Sequence, residues 1–347
     1  MYICHVRYIL YPFSLIYSSI ISIRNLLFDM NIFKAENHPI PIICIGNLSA
    51  GGSGKTPHTN YIANLLNNNY KVAILSRGYG RRTSGFHYVD TESNATNIGD
   101  EPLELKQNNP NCIVAVNNNR NKGVKRILKD YPDLDVIVLD DGFQHRWIKA
   151  GLSIIVSPFY KPYYKDKMLP LGNLREHKNG ANRSDIIIIS KTPKETNPKE
   201  EKEILASISL KAHQKAYFSS IKYENIKCIY TNEEFIFDDV YNIILVTGIA
   251  DAKPLIKHLE KGGHYIHQIQ FNDHHKYTES DIQKILIKYN TNQSLKKLIL
   301  TTEKDATKLR EFLIQFKGLN FYYAPIKIKF EQQREFDRQI INYVAKN

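Results

Sequence analysis

The chain has few cysteines and no repeated or low-complexity segment. Its 347 residues contain four cysteines, Cys4, Cys44, Cys112 and Cys228, and none of them forms a C-x-x-C pair. This spacing suits neither a zinc knuckle nor a disulfide framework, so we expect reduced thiols of a cytosolic protein. The chain is also longer than one ordinary domain, and two domains of unequal size are expected.

Acidic residues are in short supply relative to basic ones. The sequence contains 47 Lys and Arg against 35 Asp and Glu, which gives a net charge of +12. This balance favours partners that carry phosphate, such as nucleotides, nucleic acid or anionic lipid headgroups. Because the sequence lacks basic runs interleaved with aromatic residues, a nucleic-acid-binding protein is the weaker interpretation.

The N-terminal segment lacks the length of a transmembrane helix. Residues 8–23 carry no charge, but about 20 apolar residues are needed to span a bilayer. Apolar residues recur at helical spacing on one side, at Ile9, Phe13, Ile16, Ile20, Ile23 and Leu27, and polar residues line the other, at Ser14, Ser18, Ser22 and Asn25. We therefore expect residues 1–33 to form an amphipathic helix that lies in a membrane interface.

Two other interpretations of this segment exist. An ordinary helix packed in the core would show the same spacing. A secretory signal peptide is disfavoured, because Arg24, Asn25 and Asp29 follow the apolar run with no small-x-small cleavage site.

The rest of the chain predicts two α/β domains. Continuous apolar runs alternate with helical segments, which is typical of a parallel sheet covered on both faces. We expect strands at 40–46, 71–76, 112–116, 135–140, 152–157 and 185–190 in a larger domain, 34–217, and at 242–250, 265–271, 296–302 and 320–330 in a smaller domain, 218–347. The charged segment 191–203 between them is expected to be solvated surface.

The first of these strands runs into a glycine-rich loop, "SAGGSGKT", and a helix from about Pro57. The loop consists of Ser49, Ala50, Gly51, Gly52, Ser53, Gly54, Lys55 and Thr56. Backbone N–H groups at such a helix N-terminus bind phosphate, the Lys55 ammonium can reach the β- and γ-phosphates, and the Thr56 hydroxyl can ligate Mg²⁺. The strict P-loop pattern has glycine at the first position, whereas this chain has Ser49, which indicates a variant loop.

A second strand, at 135–140, ends in a pair of carboxylates. Asp140 and Asp141 are adjacent, and two carboxylates after a buried strand are costly unless a cation or hydrogen bonds neutralise them. A P-loop enzyme needs such a group to hold Mg²⁺. The pair is therefore a candidate metal site together with Thr56.

Seven blocks together carry a resemblance to a known family. They are "IGNLSAGGSGKTP", "LSRGYGRR", "GDEPLEL", "DDGFQHR", "LPLGNLREH", "FNDHH" and "TTEKDATKL". In this order they resemble the tetraacyldisaccharide 4′-kinases, the lipid A 4′-kinases of Gram-negative bacteria. In that family the loop has serine at its first position, as here.

The resemblance implies an activity and a location. The chain would transfer the γ-phosphate of ATP, with Mg²⁺, to the 4′-hydroxyl of a tetraacyldisaccharide 1-phosphate, giving lipid IVA. The site would lie on the cytoplasmic face of the inner membrane, where the partners are the lipid precursor and an anionic membrane surface. We expect a P-loop NTPase-like α/β enzyme that acts as a monomer and binds no nucleic acid.

The resemblance also assigns roles by position. Asp100 of "GDEP" would assist the acceptor hydroxyl with His274 as its partner, and Asp141 is the next candidate base. Tyr79, Gln144, His145 and Asn173 fall in blocks associated with the acceptor and the cleft. The alternative for the first pair is that Asp100 caps a helix beginning at Pro102 and that His274 is a surface histidine.

Three arginines are candidates for binding phosphate or the acceptor on the basis of their charge alone. Arg77, Arg120 and Arg175 carry guanidinium groups, which suit phosphate. For each of them, an exposed and solvated side chain is the alternative.

Two rival functions are a P-loop switch or metallochaperone and the basic nucleic-acid-binding protein considered above. A P-loop switch or metallochaperone would hydrolyse ATP without transferring its phosphate. The histidines His264, His267, His274 and His275 could bind a metal, but their spacing does not favour it. The block "TTEKDATKL" has no mechanism that the sequence explains.

Overall fold

The computed structural model of the protein describes residues 9–193 and 195–347. Residues 1–8, which include Cys4 and the start of the uncharged stretch, lie outside the described residues, as does residue 194.

Strands and helices alternate through most of the described chain. The strands are β1 (Ile42–Gly46), β2 (Val72–Ser76), β3 (His87–Tyr88), β4 (Ile113–Val116), β5 (Val136–Asp140), β6 (Leu152–Pro158), β7 (Ile186–Ser190), β8 (Lys215–Tyr223), β9 (Ile226–Cys228), β10 (Glu234–Phe235), β11 (Asn242–Thr247), β12 (Tyr265–Gln270), β13 (Lys297–Thr302), β14 (Phe321–Ala324) and β15 (Ile326–Phe330). The helices are α1 (Tyr11–Asp29), α2 (Lys55–Asn67), α3 (Ala95–Ile98), α4 (Asp100–Asn108), α5 (Arg120–Asp130), α6 (Pro198–Ile208), α7 (Lys253–Lys261), α8 (Glu279–Thr291), α9 (Glu303–Leu309) and α10 (Gln333–Ala345). Short 3₁₀ turns lie at Tyr163–Lys165, Lys178–Arg183 and Arg310–Phe312.

The larger sheet has nine strands in the order β15-β8-β7-β6-β1-β5-β2-β4-β3. Neighbouring residues of β1 belong to different apolar clusters, Ile43 and Ile45 to one and Ile42 and Cys44 to the other, so both faces of the sheet are covered. All its strand pairs are parallel except β3 with β4 and β15 with β8. The predicted parallel α/β sheet is confirmed, and its carboxyl ends form the edge where such sheets bind ligands.

The smaller sheet has six strands in the order β10-β9-β14-β13-β11-β12. Its four longer strands are parallel, and β9 and β10 add an antiparallel edge. The residues after β12 and β13 reach α4 of the larger domain. The carboxyl ends of the two sheets therefore contribute to one cleft.

The division of the chain between the two sheets differs from the expected domains, 34–217 and 218–347. The single strand expected at 320–330 is interrupted at Pro325, which has no N–H for the ladder. On one side β14 joins the smaller sheet, and on the other β15 returns to pair with β8 in the larger sheet. The last helix, α10, also packs on the larger sheet, through Phe336, Ile340 and Val344.

Helix α1 lies on the larger domain with its polar side inward. Ser14 is 6 % exposed and its hydroxyl donates to the Met168 carbonyl at 3.0 Å, whereas Phe13 is 60 % exposed. The side chains of Ile16, Ile20 and Ile23 are also exposed. The alternative of a core helix is therefore wrong, because a core helix buries its apolar side. Along the described part of the chain, we find no helix whose length and apolar content would let it cross a bilayer.

The return of the C-terminal segment generates a prediction about stability. Phe336 is fully buried, and its ring stacks on Phe330 with centroids 4.0 Å apart. We expect Phe336→Ala to lower the free energy of unfolding, measured by urea denaturation, by about 3–5 kcal/mol, because it removes buried apolar area and leaves a cavity. Tyr160→Ala is the control, since Tyr160 is 74 % exposed. Equal losses in the two variants would contradict the packing of α10 described above.

Candidate active site

The glycine-rich loop joins β1 to α2, and its backbone is shaped by two glycines. Gly51 has φ 105° and Gly54 has φ 89°, in the left-handed region that residues with a Cβ rarely adopt. Gly54 immediately precedes Lys55, the first residue of α2. The free N–H groups of the first helical turn consequently face the loop, and the helix dipole adds a favourable field for an anion.

The first position of the loop does not need glycine. Ser49 forms an isolated antiparallel bridge with Leu174, and it is not among the residues with positive φ. The next residue is held in the same way, since the Ala50 N–H donates to the Asn173 carbonyl at 2.7 Å. The segment after Gly172 thus pairs with the first half of the loop, and extended backbone accepts any residue there.

The lysine of the loop lies within a compact group of charges. Lys55 Nζ is 3.6 Å from Asp141 Oδ1 and 3.3 Å from Asn47 Oδ1. The Arg175 guanidinium donates to both oxygens of Asp141, at 2.8 and 3.1 Å, and also to the Asn47 side-chain oxygen. Burial raises the pKa of Asp141, but the charges of Lys55 and Arg175 outweigh it and lower that pKa to about 2. Asp141 is therefore an anion between two cations.

Its neighbour Asp140 has a different environment. Asp140 is 1 % exposed, and its two oxygens accept hydrogen bonds from the hydroxyls of Thr59 at 3.0 Å and Ser76 at 3.2 Å. Burial, together with the charges of Glu101 and Asp141, raises the pKa of Asp140. A buried carboxylate without a direct cationic partner is costly, and a bound cation would offset that cost.

The Asp100 carboxylate meets a histidine of the other domain. Asp100 is the first residue of α4 and is 9 % exposed, and its Oδ2 lies 3.1 Å from His274 Nδ1. Its other oxygen accepts from the Glu101 N–H at 3.0 Å. Burial raises the pKa of Asp100, but the His274 hydrogen bond and the Lys304 charge outweigh it and lower that pKa to about 2. The same hydrogen bond, opposed by burial, raises the pKa of His274.

Three of the six non-glycine residues with positive φ in the described chain lie at this cleft. Asp141, Lys191 and His274 have φ of 49°, 58° and 59°, although none of them is glycine. They follow β5, β7 and β12, at the carboxyl ends of both sheets. Strained residues of this kind persist where the surrounding contacts hold them, and they are often found at functional sites.

The geometry can be compared with known proteins. A family model described as tetraacyldisaccharide-1-P 4′-kinase matches residues 6–345. The chain belongs to this family.

Curated relatives named tetraacyldisaccharide 4′-kinase cover nearly the whole chain. One from Bacteroides thetaiotaomicron is 40 % identical over 97 % of this chain and 93 % of its own length. One from Flavobacterium johnsoniae is 38 % identical over 98 % of each. A crystal structure of LpxK from Aquifex aeolicus in complex with ATP matches with a TM-score of 0.77, at 29 % identity, over 98 % of this chain and 99 % of that one. The family expected from the seven motifs is confirmed.

The predicted site residues of this chain differ in their exposure and in the groups that they contact. Tyr79 is exposed, and its ring meets the His274 ring edge-on with centroids 5.8 Å apart. Arg77 follows β2 and is exposed. Arg120 is 2 % exposed, and its guanidinium donates to the backbone carbonyls of Asp140 and Asp141 at 3.3 and 3.4 Å. An exposed Arg120 is therefore excluded, and this arginine holds the turn that carries the carboxylates.

Two of the predicted acceptor residues, Gln144 and Asn173, contact the loop or the segment that leads into it, and a third, His145, is only partly exposed. Gln144 donates to the Asn47 carbonyl at 2.7 Å. Asn173 accepts from the loop through its backbone, and its side chain donates to Asp166 at 3.1 Å. Burial lowers the pKa of His145 to about 4, so its ring is neutral. Roles for these side chains in binding the acceptor stay predictions.

Two residues with evident structural importance were not predicted. Glu176 is fully buried, and it accepts hydrogen bonds from Gln144 at 3.0 Å, Asn25 of α1 at 3.2 Å and Arg183 at 2.7 Å. The sequence feature that could have identified Glu176 is its position inside the motif "LPLGNLREH". Lys191 was assigned to solvated surface, but its Nζ donates to the Gly52 carbonyl of the loop at 2.8 Å.

The charge group at the loop generates the second prediction. Lys55→Ala should leave the protein folded and lower turnover of ATP by at least about 10²-fold, because it removes a preorganised cation without removing core packing. Turnover is measured as ADP release, and folding by thermal unfolding. Lys71→Ala is a matched control, since Lys71 forms an exposed ion pair with Asp133. Near-normal turnover in Lys55→Ala would contradict the assignment of this loop to the phosphate site.

Proposed function

We infer that the chain transfers the γ-phosphate of ATP to the 4′-hydroxyl of a tetraacyldisaccharide 1-phosphate, a step of lipid A biosynthesis that gives lipid IVA. Membership of the kinase family supports the reaction. The observation that carries the proposal is the contact between Asp100 and His274 in the same cleft as the P-loop. A cleft with a phosphate loop on one side and a paired carboxylate on the other suits phosphoryl transfer to a hydroxyl.

The loop would hold the phosphates of ATP. The N–H groups of Gly52 to Thr56 and the Lys55 ammonium would surround the β- and γ-phosphates. A Cβ on Gly52 would lie 3.6 Å from the Cβ of Ala250, so the loop faces the smaller domain. Bound phosphates would therefore lie close to residues of both domains.

The donor set beside the loop fits Mg²⁺. Carboxylate and hydroxyl oxygens are the ligands this ion prefers, and it usually keeps several waters and phosphate oxygens. Asp140 and Asp141 supply two adjacent carboxylates, and Thr56 of the loop would supply a hydroxyl. In the described part of the chain no three His, Cys, Asp or Glu side chains form a metal cluster. When bound here, Mg²⁺ would neutralise charge on the transferring phosphate.

The reaction needs a group that accepts the proton of the 4′-hydroxyl. We propose that Asp100 is this base and that His274 orients its carboxylate. The hydroxyl oxygen forms a bond to the γ-phosphorus, the bond from that phosphorus to the β–γ bridging oxygen breaks, and ADP leaves. The proton of the hydroxyl goes to Asp100. Asp100 does not cap α4, because it is the first residue of that helix and Gly99 is the N-cap. Separate oxygens of Asp100 face the Glu101 N–H and His274.

The third prediction tests the pair with purified lipid acceptor and Mg-ATP. Asp100→Ala and His274→Ala should each lower kcat for phosphorylated lipid by about 10²–10⁴-fold, the usual contribution of a positioned base. The dissociation constant for ATP should change little. The double variant should be scarcely slower than the slower single variant, because residues that act as a unit are non-additive.

Two outcomes would contradict this proposal. Fully additive losses would remove the pair and leave Asp141 as the next candidate base. Release of inorganic phosphate with no phosphorylated lipid would instead favour a P-loop switch. His213→Ala serves as the control, since His213 is an exposed histidine of the larger domain.

We propose that α1 holds the site against the cytoplasmic face of the inner membrane. Its exposed apolar side suits an interface, and its polar side contacts the site, since the Tyr17 hydroxyl donates to the Arg175 carbonyl at 2.9 Å. The net charge of +12 adds attraction to anionic headgroups. One chain carries the loop and the Asp100–His274 pair, so we propose that it acts as a monomer.

The fourth prediction concerns this membrane surface. Ile16→Ser, Ile20→Ser and Ile23→Ser in one protein should weaken sedimentation with phosphatidylethanolamine–phosphatidylglycerol vesicles at least about tenfold, because exposed apolar area drives interfacial binding. The free energy of unfolding should be nearly unchanged, since the replaced side chains are exposed.

The control replaces equally exposed side chains elsewhere. Ile236→Ser, Ile287→Ser and Ile314→Ser alter exposed isoleucines of the smaller domain and should leave vesicle binding intact. Equal binding by both triple variants would show that the membrane contact lies elsewhere.

A further inference from the structure

The block "TTEKDATKL" forms the end of β13 and the helix α9, and its capping fixes the helix in place. Thr302 is the N-cap of α9, and the Asp305 N–H donates to its hydroxyl at 3.1 Å. One oxygen of Asp305 accepts from the Thr302 hydroxyl at 2.7 Å and from the Gly248 N–H at 2.9 Å. Because Asp305 is fully buried, these bonds tie the start of α9 to the loop after β11.

The fixed helix directs a lysine at His274. Lys304 Nζ lies 3.2 Å from His274 Nε2 and 3.4 Å from Asp273 Oδ1. The other ring nitrogen, Nδ1, faces the Asp100 carboxylate at 3.1 Å. The imidazole is thus held between an ammonium on one nitrogen and a carboxylate on the other.

The chemistry of these two partners determines which nitrogen carries the proton. An ionised carboxylate only accepts hydrogen bonds, so Nδ1 must donate to Asp100. An ammonium only donates, so Nε2 must accept from Lys304. The neutral ring is therefore compatible with a single tautomer, protonated at Nδ1, in a single orientation. Protonation of Nε2 would place a second N–H against the Lys304 ammonium, and Asp273 Oδ2, at 4.0 Å from Nε2, is too far away to accept a hydrogen bond from it.

We propose that Lys304 is a positioning residue of the phosphoryl-transfer site: it fixes His274 as the neutral Nδ1–H tautomer that orients Asp100. The effect of this positioning on catalysis rests on the proposed function. The contact itself can be measured without any reaction, so the two proposals fail separately.

The charges around His274 and Lys304 determine in which direction the pKa of His274 should change when Lys304 is replaced. The titratable and charged groups around His274 and Lys304 are Asp273 in the same loop as His274, Tyr79 after β2, Lys191 after β7, Asp100, Glu101 and Glu104 of α4, and Lys308 of α9. Burial lowers the pKa of Lys304, but the charges of Asp100 and Glu101 outweigh it and raise that pKa, so Lys304 stays charged. Its charge opposes protonation of His274, and removing that charge should make His274 easier to protonate.

The fifth prediction uses three variants of the full chain. Lys304→Met removes the charge and keeps the length of the side chain, and Lys304→Arg keeps the charge. Lys276→Met removes one lysine charge from an exposed position in the His274 loop. The ring nitrogens are observed by NMR of ¹⁵N-histidine-labelled protein across a pH titration, and the His274 signals are assigned by their loss in His274→Gln.

In the wild-type protein we expect the nitrogen shifts of the Nδ1–H tautomer above the titration midpoint. Lys304→Met should raise that midpoint by about one pH unit and mix the two tautomers. Lys304→Arg should restore the wild-type values, and Lys276→Met should not change them. An unchanged midpoint and tautomer in Lys304→Met would overturn the proposal, as would the opposite tautomer in the wild-type protein.

The kinetic readout separates positioning from a general loss of structure. The acidic limb of the kcat profile in Lys304→Met should move to higher pH by the same amount as the NMR midpoint, while the KM for ATP stays within about twofold. A uniform fall of kcat at every pH, with no displacement of the limb, would contradict positioning through His274. If the wild-type protein produced no phosphorylated lipid, the proposed function would fail, and the NMR titration would still decide the contact.

Discussion

A buried carboxylate needs partners for its charge, and Asp100 obtains them from the other domain. Its side chain lies at the start of α4 in the larger domain, but His274 and Lys304 belong to the smaller one. Lys308 Nζ is also only 3.9 Å from the same oxygen. Separation of the domains would leave Asp100 without these partners. The charge of Asp100 is therefore a reason for the two domains to stay together, and the contacts of Asp100 with His274 and Lys308 exist only while they do.

On the opposite side of the cleft, neighbouring groups likewise determine whether two carboxylates stay charged. Asp141 is held as an anion by Lys55 and Arg175, whereas Asp140 has hydroxyl partners and a raised pKa. Two adjacent carboxylates thus have different protonation tendencies, which depend on their partners and not on residue type. Arriving phosphates would compete with Asp141 for the two cations, and a divalent ion would relieve the burial of Asp140.

Local features of this site could be predicted from the sequence, and non-local ones could not. The P-loop follows from a short contiguous pattern, and the pairing of Asp100 with His274 was an expectation from the family resemblance of their two motifs. The return of β15 to β8 could not be predicted, because a strand with alternating lysines pairs equally well with several edges. Burial of Arg120 and Glu176 likewise depends on neighbours far away in the chain. The spacing of apolar residues predicts the helix α1, but only the packing of Ser14 shows which side of it faces the protein.

The contact between the domains can be tested most directly by a distance measured in solution. Spin labels on Lys122→Cys in α5 and Lys288→Cys in α8, with Cys4 and Cys228 replaced by serine, report the separation of the two domains through electron–electron dipolar coupling. We predict one narrow distance distribution in the presence of Mg-ATP and a broader, longer one when His274→Ala is added. Identical distributions in the two proteins would contradict the claim that the Asp100–His274 contact holds the two halves of the site together.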